Sequence, residues 1–184
     1  CSMLQTFLYC KFGSHCNHDC HITNANKSVC QTLSEMDWER GIWNAAFSGD
    51  KDRITELINK SRNITETVNA PDNAGYTALH YAARNGHLDI CKLLLGYGAI
   101  LDVQTKSGKA TPLHKAAATG KLSTVKFLIE SGAKTDLIDD DGKTILHKAV
   151  EYKREDLVNM LLETHPTLQN VKDKRGLLPL DYKT

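Results

Sequence analysis

The chain has 184 residues, and its 23 basic and 22 acidic side chains leave a formal net charge of +1 at pH 7. That length predicts one or two compact units, and a net charge so close to zero gives no electrostatic reason to bind nucleic acid or a membrane surface. Hydrophobic residues make up 41 % of the sequence and charged residues 24 %, which excludes a mainly disordered chain. No apolar run is long enough to span a bilayer, so we predict no membrane partner.

The first 33 residues are rich in cysteine and histidine. Five of the six cysteines lie there, whereas a disulfide-stapled domain spreads its cysteines through the fold. A cluster of potential metal ligands is formed by His15, Cys16, His18, Cys20 and His21. Zinc accepts these ligand types, but the Cys16-x-His18-x-Cys20 spacing is tighter than the usual gap of about two to four residues. We predict a flexible, reduced head at residues 1–33 with no cofactor, and keep a zinc-binding or redox role for it as the alternative.

The beginning of the sequence bears on the cellular compartment. The stretch from Met3 to Tyr9 is only mildly apolar, is ended by Cys10 and Lys11, and leads to no small-residue cleavage site of a secretory signal. No compact basic cluster argues for active nuclear import. We therefore expect a soluble protein of the cytoplasm, with the nucleus left open.

Three stretches of the remaining chain align with one another. They begin at Gly75 (GYTALHYAARNGHLDICKLLLGYGA), Gly108 (GKATPLHKAAATGKLSTVKFLIESGA) and Gly142 (GKTILHKAVEYKREDLVNMLLE). The leucines of their T-P-L-H-like boxes, Leu79, Leu113 and Leu146, are spaced by 34 and 33 residues. A period near 33 with such a box is typical of ankyrin repeats.

Two weaker copies flank these three. RGIWNAAFSGDKDRITELI lies upstream, and DKRGLLPLDYKT lies downstream and stops after the start of its first helix. From about residue 36 to residue 184 the sequence resembles the ankyrin-repeat family. The resemblance implies an all-α solenoid of stacked helix-turn-helix units joined by β-hairpin-like loops. We predict an N-terminal capping repeat at residues 34–71, repeats at 72–104, 105–138 and 139–172, and a truncated repeat at 173–184.

The residues that recur in each copy have predictable structural roles. The threonine of each box is a predicted helix N-cap, and each box leucine faces the neighbouring repeat, since one repeat cannot bury its apolar stripe alone. The hairpins are predicted to begin at Asp72, Thr105, Asp139 and Asp173, of which Thr105 departs from the usual aspartate. Gly86 and Gly120 suit a left-handed turn after the first helix. Lys153 replaces that glycine in the fourth copy, so the turn there must form without it.

The last copy lacks the part that supplies a second helix. The second helices of the earlier copies carry apolar stripes that need a neighbouring repeat to cover them. We therefore expect an apolar surface near Leu157, Leu161 and Leu180.

Neither the histidines nor the carboxylates form a catalytic pattern. His80, His114 and His147 recur once per repeat, whereas catalytic groups do not repeat with the scaffold, so we predict that each imidazole binds the turn backbone and the cap threonine. The run Asp139-Asp140-Asp141 stands before a glycine, as a solvated hairpin tip does. The sequence contains no phosphate-binding loop, hydrolase elbow or metalloprotease helix motif. We predict a non-catalytic protein.

The predicted function is that of a monomeric protein–protein interaction module, an adaptor or scaffold that binds an unidentified protein on the concave face of hairpin tips and first helices. Positions on that face that the scaffold does not use can specify the partner, and tyrosine and arginine are frequent hot-spot residues. The predicted binding residues are Tyr76, Tyr81, Arg84, Asn85, Lys109, Lys115, Asp140, Asp141, Lys143, Lys148 and Tyr152. Lys115 and Lys148 are equivalent in consecutive repeats, and we expect them to form a basic ladder toward an acidic peptide.

Overall fold

The computed structural model describes residues 41–182. Its α-helices are α1 (Ile42–Ser48), α2 (Lys51–Lys60), α3 (Ile64–Asn69), α4 (Ala78–Asn85), α5 (Leu88–Gly96), α6 (Pro112–Thr119), α7 (Leu122–Glu130), α8 (Ile145–Glu151) and α9 (Glu155–Thr164), and 3₁₀ helices follow at Pro166–Asn170 and Pro179–Tyr182. No strand occurs in this part of the chain. The predicted all-α architecture of helix pairs joined by hairpin-like loops is confirmed.

The helices stack as four pairs, α1–α2, α4–α5, α6–α7 and α8–α9. The first helix of each pair packs on the first helix of the next, and the Pro179–Tyr182 3₁₀ helix packs on α8 in the same way. The second helices α5 and α7 contact each other less extensively. The first helices and the loops that precede them therefore form one side of the stack.

Equivalent leucines occupy equivalent places between the helix pairs. Leu79, Leu113 and Leu146 are each at most 1 % exposed. The alanine pairs Ala82–Ala83 and Ala116–Ala117 are fully buried beside them, so the first helices can approach closely. Burial of one leucine side chain contributes about 1.5–3 kcal/mol. All three leucines belong to one continuous core, as expected of stacked repeats.

A threonine caps the first helix of each repeat from the second to the fourth. Thr77, Thr111 and Thr144 are the N-caps of α4, α6 and α8, and each forms a capping box with the histidine three residues later. The predicted cap positions are thus confirmed. In the box, the imidazole takes the place that a Glu or Gln side chain usually has.

The box histidines also join consecutive repeats. His80 Nδ1 accepts the Thr77 backbone N–H at 3.1 Å, and His80 Nε2 lies 3.1 Å from the carbonyl oxygen of Ala110 in the next hairpin. Because Nδ1 accepts, the neutral ring donates through Nε2–H to that carbonyl. His114 and His147 make the same two bonds in their repeats. The bond to the next hairpin goes beyond the sequence prediction, which placed each imidazole within its own turn.

Two lysines adopt backbone conformations that usually require glycine. Gly86 and Gly120 form the turn after the first helix of the second and third repeats, with φ values of 82° and 72°. Lys153 takes the same place in the fourth repeat with a φ of 55°. Lys109 lies at a φ of 45°. It is next to the residue inserted in the third hairpin. The Thr105 backbone N–H donates to the carbonyl of Ala110, five residues later, whereas the equivalent bond in the other hairpins spans four residues.

The short helix α3 was not predicted. Asn63 caps it by accepting the Glu66 backbone N–H, so the Asn-x-x-Glu pattern is the sequence signal that was available. Val68 on α3 is buried. The Asn69 side chain donates to the Gly98 carbonyl at 2.9 Å and accepts the Ile100 N–H at 2.8 Å. These bonds attach α3 to the loop that follows α5.

The apolar surface expected near the end of the chain is smaller than predicted. Leu157 and Leu161 are 1 % and 0 % exposed, so the expectation for these two residues is wrong. The reason is that the Pro166–Asn170 3₁₀ helix packs on α9 and brings Leu168 into the core. Leu180 is 38 % exposed, as expected.

We predict that the free energy of unfolding falls as the pH is lowered from about 6.5 to about 4. Burial lowers the pKa of His80 from 6.5 to about 4, so in this range the unfolded chain binds a proton that the folded chain does not. His80 alone should account for a loss on the order of 3 kcal/mol. Urea unfolding at pH 7 and at pH 4.5 measures the difference.

His80→Gln is the informative variant, because glutamine can complete a capping box but does not titrate. Its unfolding free energy should depend less on pH than that of the wild type. His165→Gln, which changes a histidine outside the boxes, should retain the wild-type dependence. An unchanged pH dependence in His80→Gln would contradict the role of the imidazole.

We predict that Lys153→Gly stabilises the protein by about 0.5–1 kcal/mol. The left-handed conformation at φ 55° costs an L-residue about 1–2 kcal/mol, and the greater entropy of glycine in the unfolded chain offsets part of the gain. Chemical denaturation measures the change. Lys134→Gly is the matched control, since Lys134 is exposed and does not have a positive φ, and it should lower stability.

Candidate functional site

The hairpin tips form a continuous series along the stack. Backbone N–H groups join successive tips, from Lys106 to the Ala74 carbonyl at 3.1 Å, from Asp140 to Gly108 at 3.0 Å, and from Lys174 to Asp141 at 3.0 Å. The spacing of the tips is therefore set by main-chain hydrogen bonds. We call the surface formed by the tips (residues 72–76, 105–110, 139–143 and 173–177) and by α4, α6 and α8 the hairpin–helix face.

An aspartate begins three of the four hairpins on this face. Asp139 Oδ1 accepts the backbone N–H groups of Asp141 and Lys143 at 2.9 and 2.8 Å. Asp72 and Asp173 hold their own hairpins in the same way. Such carboxylate-to-backbone bonds stabilise tight turns, which is why aspartate suits this position.

The second carboxylate oxygen of each aspartate binds a first-helix side chain nine residues later. The pairs are the Tyr81 hydroxyl with Asp72 Oδ2 at 2.6 Å, Lys148 Nζ with Asp139 Oδ2 at 2.7 Å, and the Tyr182 hydroxyl with Asp173 Oδ2. The sequence analysis missed these pairs. The available signal was an aspartate followed nine residues later by tyrosine or lysine.

The charge of Lys148 is neutralised inside its own repeat. The side chains of Lys148 and Asp139 are only 17 % and 5 % exposed. Burial alone raises the pKa of the Asp139 carboxyl, but the hydrogen bonds from Lys148 and from the backbone hold that pKa below its usual range. This differs from the basic ladder that was expected of Lys115 and Lys148, because one of the two ammonium groups already has a buried counter-charge.

Lys115 occupies the equivalent position in the third repeat, where the hairpin residue is Thr105. The Thr105 hydroxyl accepts the Ala110 N–H at 3.1 Å and donates to the Ser107 carbonyl at 2.9 Å, so it serves the hairpin but supplies no carboxylate. Lys115 reaches the preceding repeat instead. Its Nζ donates to the Tyr76 hydroxyl at 2.8 Å and lies 4.8 Å from the centroid of that ring.

Lys143 is buried, unlike the surface position predicted for it. It is 5 % exposed, and its Nζ lies 2.8 Å from Glu151 Oε1 and 4.7 Å from the centroid of the Tyr182 ring. Burial alone lowers the pKa of Lys143, but the ion pair with Glu151 raises it above its usual value. Lys143 thereby joins α8 to the last 3₁₀ helix and offers little surface to a partner.

Asn85 and Tyr81 both contact the preceding repeat. The Asn85 amide donates to the Phe47 carbonyl at 2.6 Å. The rings of Phe47 and Tyr81 pack edge to face with centroids 6.4 Å apart. Both predicted binding residues thus have a structural role within the stack.

Of the remaining predicted residues, Arg84, Lys109, Asp141 and Tyr152 are exposed and Asp140 is half-buried. Within residues 41–182, the side chains of Arg84, Asp141 and Tyr152 make no hydrogen bond or ion pair, and Tyr152 is 51 % exposed. Lys109 and Asp140 approach each other to 3.6 Å with side chains that are 62 % and 45 % exposed. Such an exposed pair contributes little to stability, so both charges can bind other groups.

A recess of about 210 Å³ opens on the hairpin–helix face between the third and fourth repeats. Its lining includes five predicted binding residues, Lys115, Asp140, Asp141, Lys148 and Tyr152. Arg84 and Asn85, at the end of α4, do not line it. A second recess, of about 430 Å³, lies at the turn between α8 and α9 and contains no predicted binding residue. The first recess can accept polar side chains of either charge.

The possible metal ligands of the head lie outside the described residues, so the zinc alternative stays an untested prediction. In residues 41–182, no group of three or more His, Cys, Asp or Glu side chains is arranged to hold a metal ion. Burial raises the pKa of the Cys91 thiol to about 12, which makes it a poor nucleophile. No helix of that same range is both long and apolar enough to cross a membrane.

Comparisons with known proteins agree with this architecture. Residues 7–106 and 101–173 match the family model described as Ankyrin repeats (3 copies). Human Ankyrin repeat domain-containing protein 39 is 51 % identical over 96 residues, which are 52 % of this chain and 48 % of the human protein. The bovine protein of the same name is 51 % identical over 78 residues, or 42 % of this chain and 38 % of that protein.

A third relative shares a longer alignment. Palmitoyltransferase akr1 of Schizosaccharomyces pombe is 46 % identical over 136 residues, which are 74 % of this chain but 21 % of that protein. The alignments therefore span less than half of each of these three relatives. The family match covers most of this chain and coincides with the stacked helix pairs, capping boxes and linked hairpins described above. The chain belongs to the ankyrin repeat family.

Proposed function

We propose that this chain is a non-catalytic adaptor that binds a protein partner on the hairpin–helix face. The observation that carries the proposal is the division of side chains on that face. Tyr81, Lys143 and Lys148 are used within the stack, whereas the side chains of Arg84 and Tyr152 are exposed and make no hydrogen bond or ion pair among the described residues. Exposed tyrosine and arginine on a rigid scaffold are suited to act as binding hot spots.

The rigidity of the face supports the same proposal. Main-chain bonds between hairpin tips and buried imidazoles between repeats hold the backbone that carries the exposed side chains in place before any partner binds. A preorganised surface loses little conformational entropy on association. A stack of repeats is well suited to bind an extended protein surface.

The likeness to Palmitoyltransferase akr1 does not lead us to propose acyl transfer. The alignment takes in 74 % of this chain but only 21 % of that protein, so we propose that the two share repeats and not an enzyme activity. We retain the monomeric state and the cytoplasm as predictions, with the nucleus left open.

We predict that the double variant Arg84→Glu/Tyr152→Ala binds its partner at least about tenfold more weakly than the wild type, because hot-spot truncation costs about 2 kcal/mol or more. The melting temperature should stay close to that of the wild type, since both side chains are exposed and unpaired in the described residues. Affinity capture from cell extract with quantitative mass spectrometry identifies partners, and titration with the purified partner measures the loss.

The matched control is Lys126→Glu/Asn159→Ala, which changes exposed positions of the second helices α7 and α9. This control should capture the same proteins as the wild type. Equal capture by the face variant and the wild type would show that the partner binds elsewhere.

A further inference from the structure

The third repeat differs from its neighbours because Lys115 on its first helix has no carboxylate partner in its own hairpin. The position two residues after the box leucine is Tyr81, Lys115, Lys148 and Tyr182 in successive repeats. Three of these side chains bind a carboxylate of their own hairpin. At Lys115 the corresponding hairpin residue is Thr105, and no carboxylate of residues 41–182 lies within 4.0 Å of its ammonium group.

Hydrogen-bond donors of Lys115 and Tyr76 remain unused in the described part of the chain. The Lys115 ammonium uses one N–H on the Tyr76 hydroxyl oxygen, which leaves two N–H groups. The Tyr76 hydroxyl accepts that bond and donates to no group in the described part of the chain. A carboxylate placed here can accept from the ammonium and from the phenol together, which makes two charge-assisted bonds.

Two carboxylates of the next repeat share a recess with Lys115. The Asp141 side chain is exposed and unpaired within residues 41–182, whereas Asp140 accepts the Gly108 backbone N–H at 3.1 Å and has an exposed contact with Lys109. Lys115, Asp140 and Asp141 line the same recess. The face thus presents a cation with no carboxylate partner among the described residues and, one repeat later, the unpaired Asp141 beside the partly compensated Asp140.

On the basis of the proposed function, we infer that the partner presents an acidic side chain to the Tyr76–Lys115 pair and a basic side chain to Asp140 and Asp141. Stacked helices are spaced by about 8–10 Å, and an extended chain covers that distance in about three residues. The partner segment is therefore an extended peptide with an Asp or Glu and a Lys or Arg about three positions apart. A phosphate is a poorer match, because phosphopeptide sites are built from arginine clusters and this pair has one lysine and one phenol.

The test uses a random 12-residue peptide library displayed on phage and selected on the 184-residue chain at low salt. We expect enriched peptides to carry the acidic and basic residues at this spacing. A synthetic enriched peptide should bind Lys115→Gln about tenfold more weakly. Replacing the peptide's acidic residue with its amide should weaken binding to the wild type to the same extent, but should not weaken binding to Lys115→Gln further.

Thr105→Asp is the sharpest variant, because it supplies the hairpin carboxylate that the third repeat lacks. Lys115 should then pair within its own repeat, as Lys148 does with Asp139, and the peptide should lose about tenfold in affinity while the melting temperature stays equal or rises. Lys126→Gln, on the exposed side of α7, is the control that should keep wild-type affinity.

The outcomes separate this inference from the proposed function. The informative peptides are those that bind the wild type but not Arg84→Glu/Tyr152→Ala. If these peptides have no acidic residue, or bind Lys115→Gln as tightly as the wild type, only the inference is overturned. A library that yields no peptide sensitive either to Arg84→Glu/Tyr152→Ala or to Lys115→Gln overturns both proposals. A peptide that binds more than about tenfold tighter when phosphoserine replaces its acidic residue overturns the assignment to a carboxylate.

Discussion

The hydrogen bond from a buried imidazole to the main chain of the next repeat is the interaction on which the stack depends. His80 Nε2–H reaches the Ala110 carbonyl, and the same bond recurs in the two following repeats. It places each hairpin over the preceding helix and requires a neutral ring, which burial also favours. The hairpin then positions its aspartate, and the aspartate positions a first-helix side chain. The arrangement of the hairpin–helix face thus follows from contacts made in the core.

Much of the fold could be predicted because its determinants are local and recur in phase. A threonine cap, a leucine two residues later and a glycine at the first turn identify each helix pair without knowledge of distant contacts. Lys153 departs from the glycine pattern, and the turn still forms at a positive φ, closed by hydrogen bonds from the Lys153 and Arg154 N–H groups to the carbonyls of Val150 and Ala149. The helix α3 escaped prediction because it does not recur and its attachment depends on Asn69, which contacts the loop of another repeat.

The candidate site was harder to predict, since exposure depends on neighbours that a single repeat does not contain. Lysine is usually a surface residue, but Lys143 forms an ion pair with Glu151 and Lys148 forms one with Asp139 inside the fold. Arg84 and Tyr152 are exposed, although their role in binding is still a prediction. Sequence equivalence suggested that Lys115 and Lys148 act alike. The single change from aspartate to Thr105 separates them, because only one of the two lysines has a carboxylate in its hairpin.

Hydrogen bonds between hairpin tips run entirely through the main chain, from Lys106 to Ala74 and onward through the next two tips. Most tip side chains take no part in these bonds, although Gly75 and Gly142 must stay glycine, because a Cβ there would lie 2.5 and 2.8 Å from the backbone nitrogens of Lys106 and Lys174. Mutation can therefore exchange the chemistry displayed at a tip while the interval between neighbouring tips stays constant. Selection can therefore change which partner this surface binds by single substitutions, while the fold is retained.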